Sequence, residues 1–219
     1  MSAPTSSSPR LHRSRRPAPP GRPAVSDSAQ RVLDAALELF GEHGYDGTSL
    51  QMIADRLQVT KAAVYYHYRT KNELLEALVG PTFDDLERVL EHAASRPRAD
   101  DRRESGLTGY VDYLLRHRKV AGFLSRDIAA VSQPEVWQRV QSLSGRVEGL
   151  LTEGSAATDA LSRLWGTAAL AGMNGALVNL GDADEPWLRE QLTELGRHMA
   201  AGYRRARRRD DGSAADAPA

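Results

Sequence analysis

Apolar residues recur at helical spacing along most of this 219-residue chain. The pattern runs from Ser28 to Ser132 and again from Pro134 to Arg209, and no alternating run of strand length interrupts it. It predicts an all-α protein of about nine helices, with a short amino-terminal cluster followed by a longer carboxy-terminal bundle. The first helix is expected to begin near Ser26 or Asp27, which are both good caps, and to end before Gly44.

Two capping sequences mark the next helix starts. In TSLQ, Thr48 is the predicted cap of helix 2, and Gln51 follows three positions later, which is the spacing of a capping box. In TKNE, residues 70–73 repeat this pattern at the start of helix 4. Between the two, a short turn at 58–59 leads to Thr60 as the cap of helix 3, so that helices 2 and 3 are closely joined.

Helix 3 carries aromatic and basic residues that cannot all face the interior. At about 100° per residue, Val64 and Tyr68 fall on one side of the helix, and Ala62 and Tyr66 fall on the opposite side. The two flanks between these sides hold Lys61 with Tyr65, and Ala63 with His67. The helix therefore has one apolar side that is buried and an exposed face of small, aromatic and basic residues that needs a partner.

Two short helices with such an exposed face are typical of a helix-turn-helix, which lays its second helix in the major groove of DNA. Small side chains such as Ala62 let the backbone approach the bases, and alanine methyls can touch thymine methyls. Lys61 can reach a guanine edge or a phosphate, and the tyrosine hydroxyls and His67 can bond to phosphate. Helix 2 offers amides to an anion at its start, and Lys71 is expected to face a phosphate because it is badly placed for its own helix dipole.

Composition excludes several kinds of protein and site. The 41% hydrophobic and 26% charged residues are typical of a globular chain, and no apolar run approaches the roughly 20 residues of a membrane span. The absence of cysteine excludes disulfides and thiolate metal sites, and it suits a cytoplasmic location. The sequence holds no dinucleotide-binding glycine pattern, phosphate-binding loop, HExxH or nucleophile elbow, so we expect no enzyme activity, no metal site and no cofactor.

Charge is unevenly distributed, although the formal net charge is zero. Residues 1–25 hold five arginines with no acid before Asp27, and they are predicted to form a disordered basic arm. The segment 28–78 instead holds five bases against seven acids. Because affinity for DNA rests on phosphate neutralisation, the arm is one candidate to supply part of it, and a nonfunctional extension is the alternative. Residues 210–219 are predicted to be a disordered tail.

The stretch GEHGYDGTSLQMIADRLQVTKAAVYYHYRTKNELLEAL resembles the DNA-binding domain of the tetracycline-repressor (TetR) family. This resemblance implies a helix-turn-helix domain over 26–72 and a ligand-binding and dimerisation domain over 73–209, with Val64 and Tyr68 in the core. It also implies which residues contact DNA: Thr48, Ser49, Gln51, Lys61, Ala62, Ala63, Tyr65, Tyr66, His67 and Lys71. The chain departs from the family at Gln58, where glycine is frequent. A glutamine at positive φ costs about 1 kcal/mol.

The last two predicted helices, near 159–180 and 186–208, are rich in small and apolar residues. In the resembled family these helices pair into a four-helix dimer interface, which here would include Leu161, Ala168, Gly172, Ala176, Leu188, Leu192, Leu195 and Met199. A buried core within one subunit is the alternative. Aromatic walls with a few polar groups indicate an effector pocket formed by Tyr110, Tyr113, His117, Phe123, Trp137, Trp165, Met173 and Asn174.

The leading hypothesis is a ligand-responsive homodimeric repressor that binds a palindromic operator in double-stranded DNA and is released by a small molecule. One alternative is an activator or DNA-organising protein on the same scaffold without a small ligand. A second alternative is an all-helical enzyme or interaction module whose likeness to a helix-turn-helix is accidental. Salt-dependent binding to the DNA upstream of its own gene would separate the first two hypotheses from the third.

Overall fold

A computed structural model of the protein describes residues 27–153 and 159–215, with the side chains described as far as residue 211. The predicted arm at 1–25 lies outside the described residues, as do the last four residues of the predicted tail. Within the described ranges the protein is all-α, with ten helices and no strand. They are α1 (Asp27–Gly47), α2 (Leu50–Leu57), α3 (Lys61–His67), α4 (Lys71–Ala94), α5 (Ala99–Arg116), α6 (Arg118–Arg126), α7 (Ile128–Val131), α8 (Pro134–Thr152), α9 (Ala160–Asn179) and α10 (Glu185–Ala215).

The amino-terminal cluster consists of α1, α2, α3 and the first turns of α4. The regular part of α1 ends at Gly44, which has φ 74° and ψ 167°. Glycine suits this position because other residues rarely adopt positive φ. The kink folds Tyr45 back onto Phe40, with 5.5 Å between the ring centroids, and both side chains are buried.

The start of α2 differs from the prediction. Ser49, not Thr48, is the cap, and its hydroxyl oxygen accepts a hydrogen bond from the Met52 amide at 3.2 Å. Thr48 is 2% exposed, and its hydroxyl lies 2.8 and 3.1 Å from carbonyl oxygens of α1. The predicted capping box at Thr48 is therefore wrong, because this side chain is drawn into the end of α1.

The turn between α2 and α3 is built on Gln58, which adopts the left-handed conformation with φ 55° and ψ 40°. Its amide donates to the Asp55 carbonyl at 3.1 Å, and the Val59 amide donates to the Ala54 carbonyl at 3.0 Å. These two bonds form a Schellman motif, which normally has glycine at the left-handed position. A glutamine at positive φ is thus accommodated in this turn, at a cost of about 1 kcal/mol.

Helix α4 joins the two halves of the protein. Thr70 caps it as predicted, since its hydroxyl accepts from the Glu73 amide at 3.0 Å, while the Glu73 carboxylate accepts from the Arg69 amide at 2.8 Å. The helix then continues without interruption to Ala94, so the predicted domain boundary at 72–73 falls inside its first turn. Pro81 lies within α4 and removes one intrahelical hydrogen bond between the two halves.

The chain breaks at Asp127 into two short helices, α6 and α7. One carboxylate oxygen of Asp127 accepts from the Ala130 amide at 2.9 Å and thereby starts α7. The other oxygen accepts from the Tyr45 amide at 2.6 Å, at the kinked end of α1. This side chain ends α6, begins α7 and connects the carboxy-terminal bundle to the amino-terminal cluster.

Helices α4, α5, α8, α9 and α10 form the carboxy-terminal bundle. At Gly166 of α9 an added Cβ would lie only 2.9 Å from backbone atoms of Glu148 in α8, so these two helices approach closely. Helix α10 extends to Ala215, past its predicted end near 208, so residues 210–215 are helical where a disordered tail was predicted. Arg207 pairs with Asp211 at 3.7 Å near this extension. Among the described helices, none is both long and apolar enough to span a bilayer.

Candidate nucleic-acid interface and ligand cavity

Helix α3 buries one side chain deeply and presents the opposite face outward, as predicted. Val64 is fully buried, whereas Tyr66 is 85% exposed and Tyr65 is 40% exposed. Ala62 and Ala63 are exposed beside them. At about 1.5 Å per residue the helix is about 10 Å long, which suits insertion into the major groove.

The flanks of α3 hold the polar groups of this face. The Lys61 amine lies 5.3 Å from the centroid of the Tyr65 ring, a cation–π contact that steers the amine along the exposed face. His67 is half-buried and meets the edge of Tyr66, with 5.2 Å between the ring centroids. Tyr68 is half-buried on the opposite side, where burial raises the pKa of its hydroxyl. The outward face of α3 thus combines one cation, two phenols and two methyl groups.

The remaining residues of the predicted DNA contact differ in their exposure. Ser49 and Gln51 are exposed at the start of α2, and the Gln51 amide is bonded to Asp55 at 2.7 Å. Thr48 is the exception, because its side chain is buried and its amide donates to the Tyr45 carbonyl at 3.3 Å. The sequence analysis was therefore wrong to expect an available amide at Thr48.

Lys71 has a structural role that the sequence analysis did not identify. Its amine donates to the Tyr45 carbonyl at 2.6 Å and to the Asp46 carbonyl at 3.3 Å, and it lies 4.3 Å from the centroid of the Tyr45 ring. A cation at this position stabilises the negative end of the α1 dipole. These contacts with the end of α1 explain why a lysine stands in the first turn of α4, where it is unfavourable for the dipole of α4. The contact of Lys71 with phosphate remains a prediction from the resemblance.

Some of the acidic excess of this segment is paired within the domain. Arg56 bonds Glu42 at 2.6 Å and lies 3.4 Å from Glu38, so one base of α2 neutralises part of the α1 surface. Hydrogen bonding to Arg56 lowers the pKa of Glu42. Glu38 and Glu42 are therefore held on the α1–α2 side by Arg56.

A cavity of about 370 Å³ lies inside the carboxy-terminal bundle, between α4, α5, α6, α8 and α9. Three of the predicted pocket residues line it, namely Tyr110, Tyr113 and Asn174. The Asn174 amide donates to the Tyr110 hydroxyl at 2.8 Å, and burial raises the pKa of Tyr110 well above its usual range despite this bond. The size of the cavity lies within the range of small-molecule sites.

The other five predicted pocket residues lie outside the lining of this cavity. Phe123 stacks on Phe40 of α1 at 5.4 Å, and Met173 is fully buried in the core. Trp137 is 50% exposed on α8. Trp165 packs against Gly202, where an added Cβ would lie 2.4 Å from the Trp165 ring. The sequence shows that these side chains are aromatic or apolar, but it does not indicate which neighbours cover them.

His117, the fifth of them, belongs to a charged cluster centred on Asp85 of α4. The Asp85 carboxylate lies 2.8 Å from the His117 ring and 2.5 Å from Arg116, and Arg88 lies 3.1 Å away. Burial alone would raise the pKa of Asp85, but the hydrogen bonds from His117 and Arg116 outweigh it and lower the pKa. The cluster ties α4 to the junction of α5 and α6, beside the ring of Tyr113.

The predicted dimer interface is only partly exposed. Leu188 and Leu192 are each 1% exposed and pack in the core of the protomer, so their assignment to the interface is wrong. Ala168 and Gly172 of α9 are exposed, and the half-buried members of the set are Leu161, Ala176, Leu195 and Met199. Leu164 lies on the same face of α9 and is 65% exposed, although the sequence analysis did not include it.

Asp127 is the main functional candidate that sequence reasoning missed. An aspartate directly before Ile128 and two alanines is a recognisable helix-start pattern, so the break itself could have been found. Its bond to the Tyr45 amide joins positions 82 residues apart, and no local sequence pattern could have predicted it. In the described part of the chain, no group of three or more His, Cys, Asp or Glu side chains could hold a metal ion.

Comparisons with known proteins agree with this arrangement. Residues 32–78 match the family described as bacterial regulatory proteins, tetR family. The chain is 40% identical to the biofilm operon icaADBC HTH-type negative transcriptional regulator IcaR of Staphylococcus aureus (strain Newman) over 60 residues. These 60 residues are 27% of this chain and 32% of that protein. The match therefore spans about a third of that relative's length.

Solved structures extend the likeness of the fold beyond this segment. A TetR-family regulator of Streptomyces coelicolor A3, SCO3833, has a TM-score of 0.64 at 24% identity, over 78% of this chain and 90% of that chain. The transcriptional regulator FadR of Bacillus subtilis, solved in complex with stearoyl-CoA, has a TM-score of 0.57 at 18% identity, over 79% of this chain and 98% of that chain. At these identities the likeness shows the fold, including that of the carboxy-terminal bundle.

Proposed function

The chain belongs to the tetR family of bacterial regulatory proteins, and on that premise we propose that it is a homodimeric transcriptional repressor, released from a palindromic operator by a small molecule. The cytoplasm is where such a regulator would meet both DNA and effector. The relative IcaR is named a negative regulator, which supports repression rather than activation.

The single observation that carries the proposal is the outward face of α3. The phenol of Tyr66 is 85% exposed beside Tyr65 and Lys61, and such a group of hydroxyls and one amine is well suited to a phosphate-lined groove. Ala62 and Ala63 leave room for the bases to approach the backbone. We assign DNA contact to these side chains and to His67, and to Ser49 and Gln51 at the start of α2.

Dimerisation follows from the small size of this reading surface. One helix of seven residues can read few bases, and two-fold symmetry doubles the contact with a palindromic site. We propose that Leu164, Ala168 and Gly172 of α9 form the centre of the dimer interface, with Leu195 and Met199 of α10 beside them. The two copies of α3 would then lie about 34–36 Å apart, which is one turn of DNA.

We propose that α4 transmits the effector signal. Phe83 and Leu86 of α4 line the cavity, while its first turns carry Lys71 against the end of α1. A ligand that binds better when the two reading helices are wrongly spaced must weaken DNA binding by the same factor. The complex of FadR with stearoyl-CoA supports a small-molecule role for this bundle, although the ligand itself is not transferred.

The test is binding of the full chain to the DNA upstream of its own gene, measured by fluorescence anisotropy over a range of salt concentrations. Affinity should fall linearly with salt on logarithmic axes. Replacing Lys61 by alanine should lower the affinity and reduce the slope by about one, whereas Lys119→Ala removes an exposed lysine elsewhere and should leave both unchanged.

A second pair of variants tests the aromatic part of the surface. Tyr66→Ala should abolish most of the specific affinity, while Trp137→Ala, which removes an aromatic residue that is 50% exposed on α8, should not. Circular dichroism confirms that each variant is folded. If folded Lys61→Ala and Tyr66→Ala proteins bind the upstream DNA as the wild type does, α3 is not the reading helix and the proposal fails.

A further inference from the structure

The lining of the cavity indicates the charge of its ligand. Among the described residues that line the cavity, none is Asp, Glu, Lys, Arg or His. Most are aliphatic or aromatic, such as Leu86, Leu143 and Leu170, and the polar members are hydroxyls and one amide. A carboxylate, phosphate or ammonium group in this cavity would lose its hydration without an opposite charge, which is strongly unfavourable.

The polar groups at one part of the lining are arranged asymmetrically. The Asn174 side-chain nitrogen lies 2.9 Å from the Leu170 carbonyl oxygen and 2.8 Å from the Tyr110 hydroxyl. Because a carbonyl can only accept, the atom facing Leu170 must be the amide nitrogen, and this fixes the orientation of the Asn174 amide. Both amide hydrogens are then used, one on each partner, and the Tyr110 oxygen is an acceptor.

Two hydrogen-bonding groups remain available after these bonds are made. No other described residue accepts the hydroxyl hydrogen of Tyr110, and none donates to the side-chain oxygen of Asn174. Tyr110 is only 4% exposed, so an unused donor there carries a desolvation cost that a ligand would remove. The raised pKa of Tyr110 keeps this group a neutral donor.

We infer that the effector is an uncharged, mainly apolar molecule with a carbonyl oxygen that accepts from Tyr110, and that a primary or secondary amide fits best because its N–H can donate to Asn174. This inference rests on the proposed function, since it names the class of molecule that would occupy the effector cavity. Under this inference, Tyr110 and Asn174 make the cavity selective for a neutral carbonyl compound over an anion with the same carbon skeleton.

The test compares three probes that share one carbon chain and differ in charge at neutral pH: octanamide, octanoate and octylamine. Binding to the full chain is measured by isothermal titration calorimetry below the micelle concentration. Octanamide should bind at least about 10-fold more tightly than either charged probe. Tyr110→Phe should weaken octanamide about 3- to 10-fold, because one hydrogen bond to the ligand is lost.

Tyr203→Phe is the matched control. Tyr203 is also a buried tyrosine, its hydroxyl has no hydrogen-bond partner among the described residues, and it lies on α10 outside the cavity lining, so this variant should bind octanamide as the wild type does. The inference is overturned if octanoate or octylamine binds as tightly as octanamide, if the wild type does not bind octanamide, or if a folded Tyr110→Phe protein binds it unchanged.

The same probes separate this inference from the proposed function. Octanamide is added to the complex of the protein with its upstream DNA, and the anisotropy is followed. If octanamide binds selectively through Tyr110 and the DNA stays bound, the ligand class stands and release by a cavity ligand is refuted. If octanoate releases the DNA and octanamide does not, the repressor function stands and the ligand class is refuted.

Discussion

Gln58 stands where the backbone turns between α2 and α3, and its conformation is unfavourable for any residue with a β-carbon. Its φ of 55° is the only positive φ of a non-glycine residue in the described ranges. The two hydrogen bonds of the Schellman motif come from the backbone and do not involve the side chain. We therefore expect Gln58→Gly to keep the turn and to stabilise the protein.

The size of the effect follows from two opposing contributions. A left-handed conformation costs an L-residue about 1 to 2 kcal/mol, and glycine removes this cost. Glycine also has more conformational freedom to lose on folding, which costs about 0.5 to 1 kcal/mol. The two contributions differ by about 0 to 1.5 kcal/mol. The free energy of unfolding should therefore rise by roughly 0.8 kcal/mol, the middle of this range, which corresponds to about 2 to 3 °C in Tm for a chain of this size.

Urea denaturation followed by circular dichroism measures this difference, at one fixed protomer concentration because the proposed dimer makes stability depend on concentration. Gln58→Ala is the matched control. It removes the exposed side chain but keeps the β-carbon, so the free energy of unfolding should change by less than about 0.5 kcal/mol.

Two results would refute the reasoning about this turn. A lower free energy of unfolding in Gln58→Gly would show that the glutamine side chain itself stabilises the turn. An equal gain in Gln58→Ala and Gln58→Gly would show that the β-carbon is not the source of the cost. In the expected case both variants keep the wild-type affinity for DNA, because the backbone path into α3 is unchanged.

Three further substitutions test other parts of the structure by the same denaturation assay. Gly166→Ala should lower the free energy of unfolding by about 1 to 3 kcal/mol because its β-carbon would meet backbone atoms of Glu148, whereas Gly145→Ala, whose β-carbon would meet no other described element within 4 Å, should raise it by about 0.5 to 1 kcal/mol. Asp85→Asn should cost about 1 to 3 kcal/mol at neutral pH. Because the folded-state pKa of Asp85 is lowered, this stabilisation is present above the unfolded pKa of about 3.9 and is lost as the pH falls further through the folded value, so the wild type and the variant should converge in acid. Asp127→Ala should cost about 1 to 2 kcal/mol through loss of the α7 cap and the bond to the Tyr45 amide, while Asp182→Ala, an exposed aspartate nearby in the fold, should change stability by less than about 0.5 kcal/mol.

The sequence was most informative where one helix decides its own orientation. The burial of Val64 and the exposure of Tyr66 follow from helical periodicity alone, and both are confirmed. Gln58 stands out in the sequence as a departure from the glycine that is frequent in the resembled family, and it is the residue that adopts positive φ. These features depend on residues close together in the chain, so a local pattern is sufficient to predict them.

The wrong predictions concern side chains whose surroundings are set by a distant part of the chain. Thr48 looked like a helix cap, but the carbonyls of α1 take its hydroxyl. Leu188 and Leu192 were correctly apolar, yet periodicity cannot tell a protomer core from a dimer interface. For the same reason only three of the eight predicted pocket residues line the cavity. A pattern indicates that a side chain avoids water and does not indicate which neighbour covers it.

The carboxylate of Asp127 has a consequence for building chimeric regulators. Since it starts α7 with one oxygen and fastens the amide of Tyr45 with the other, the two ends of this link cannot be exchanged separately. A graft that joins the first 78 residues to the bundle of another regulator carries the amide donor but leaves its acceptor behind. Such a hybrid should keep its affinity for DNA yet respond poorly to an inducer, unless an aspartate is supplied at the corresponding position of the new bundle.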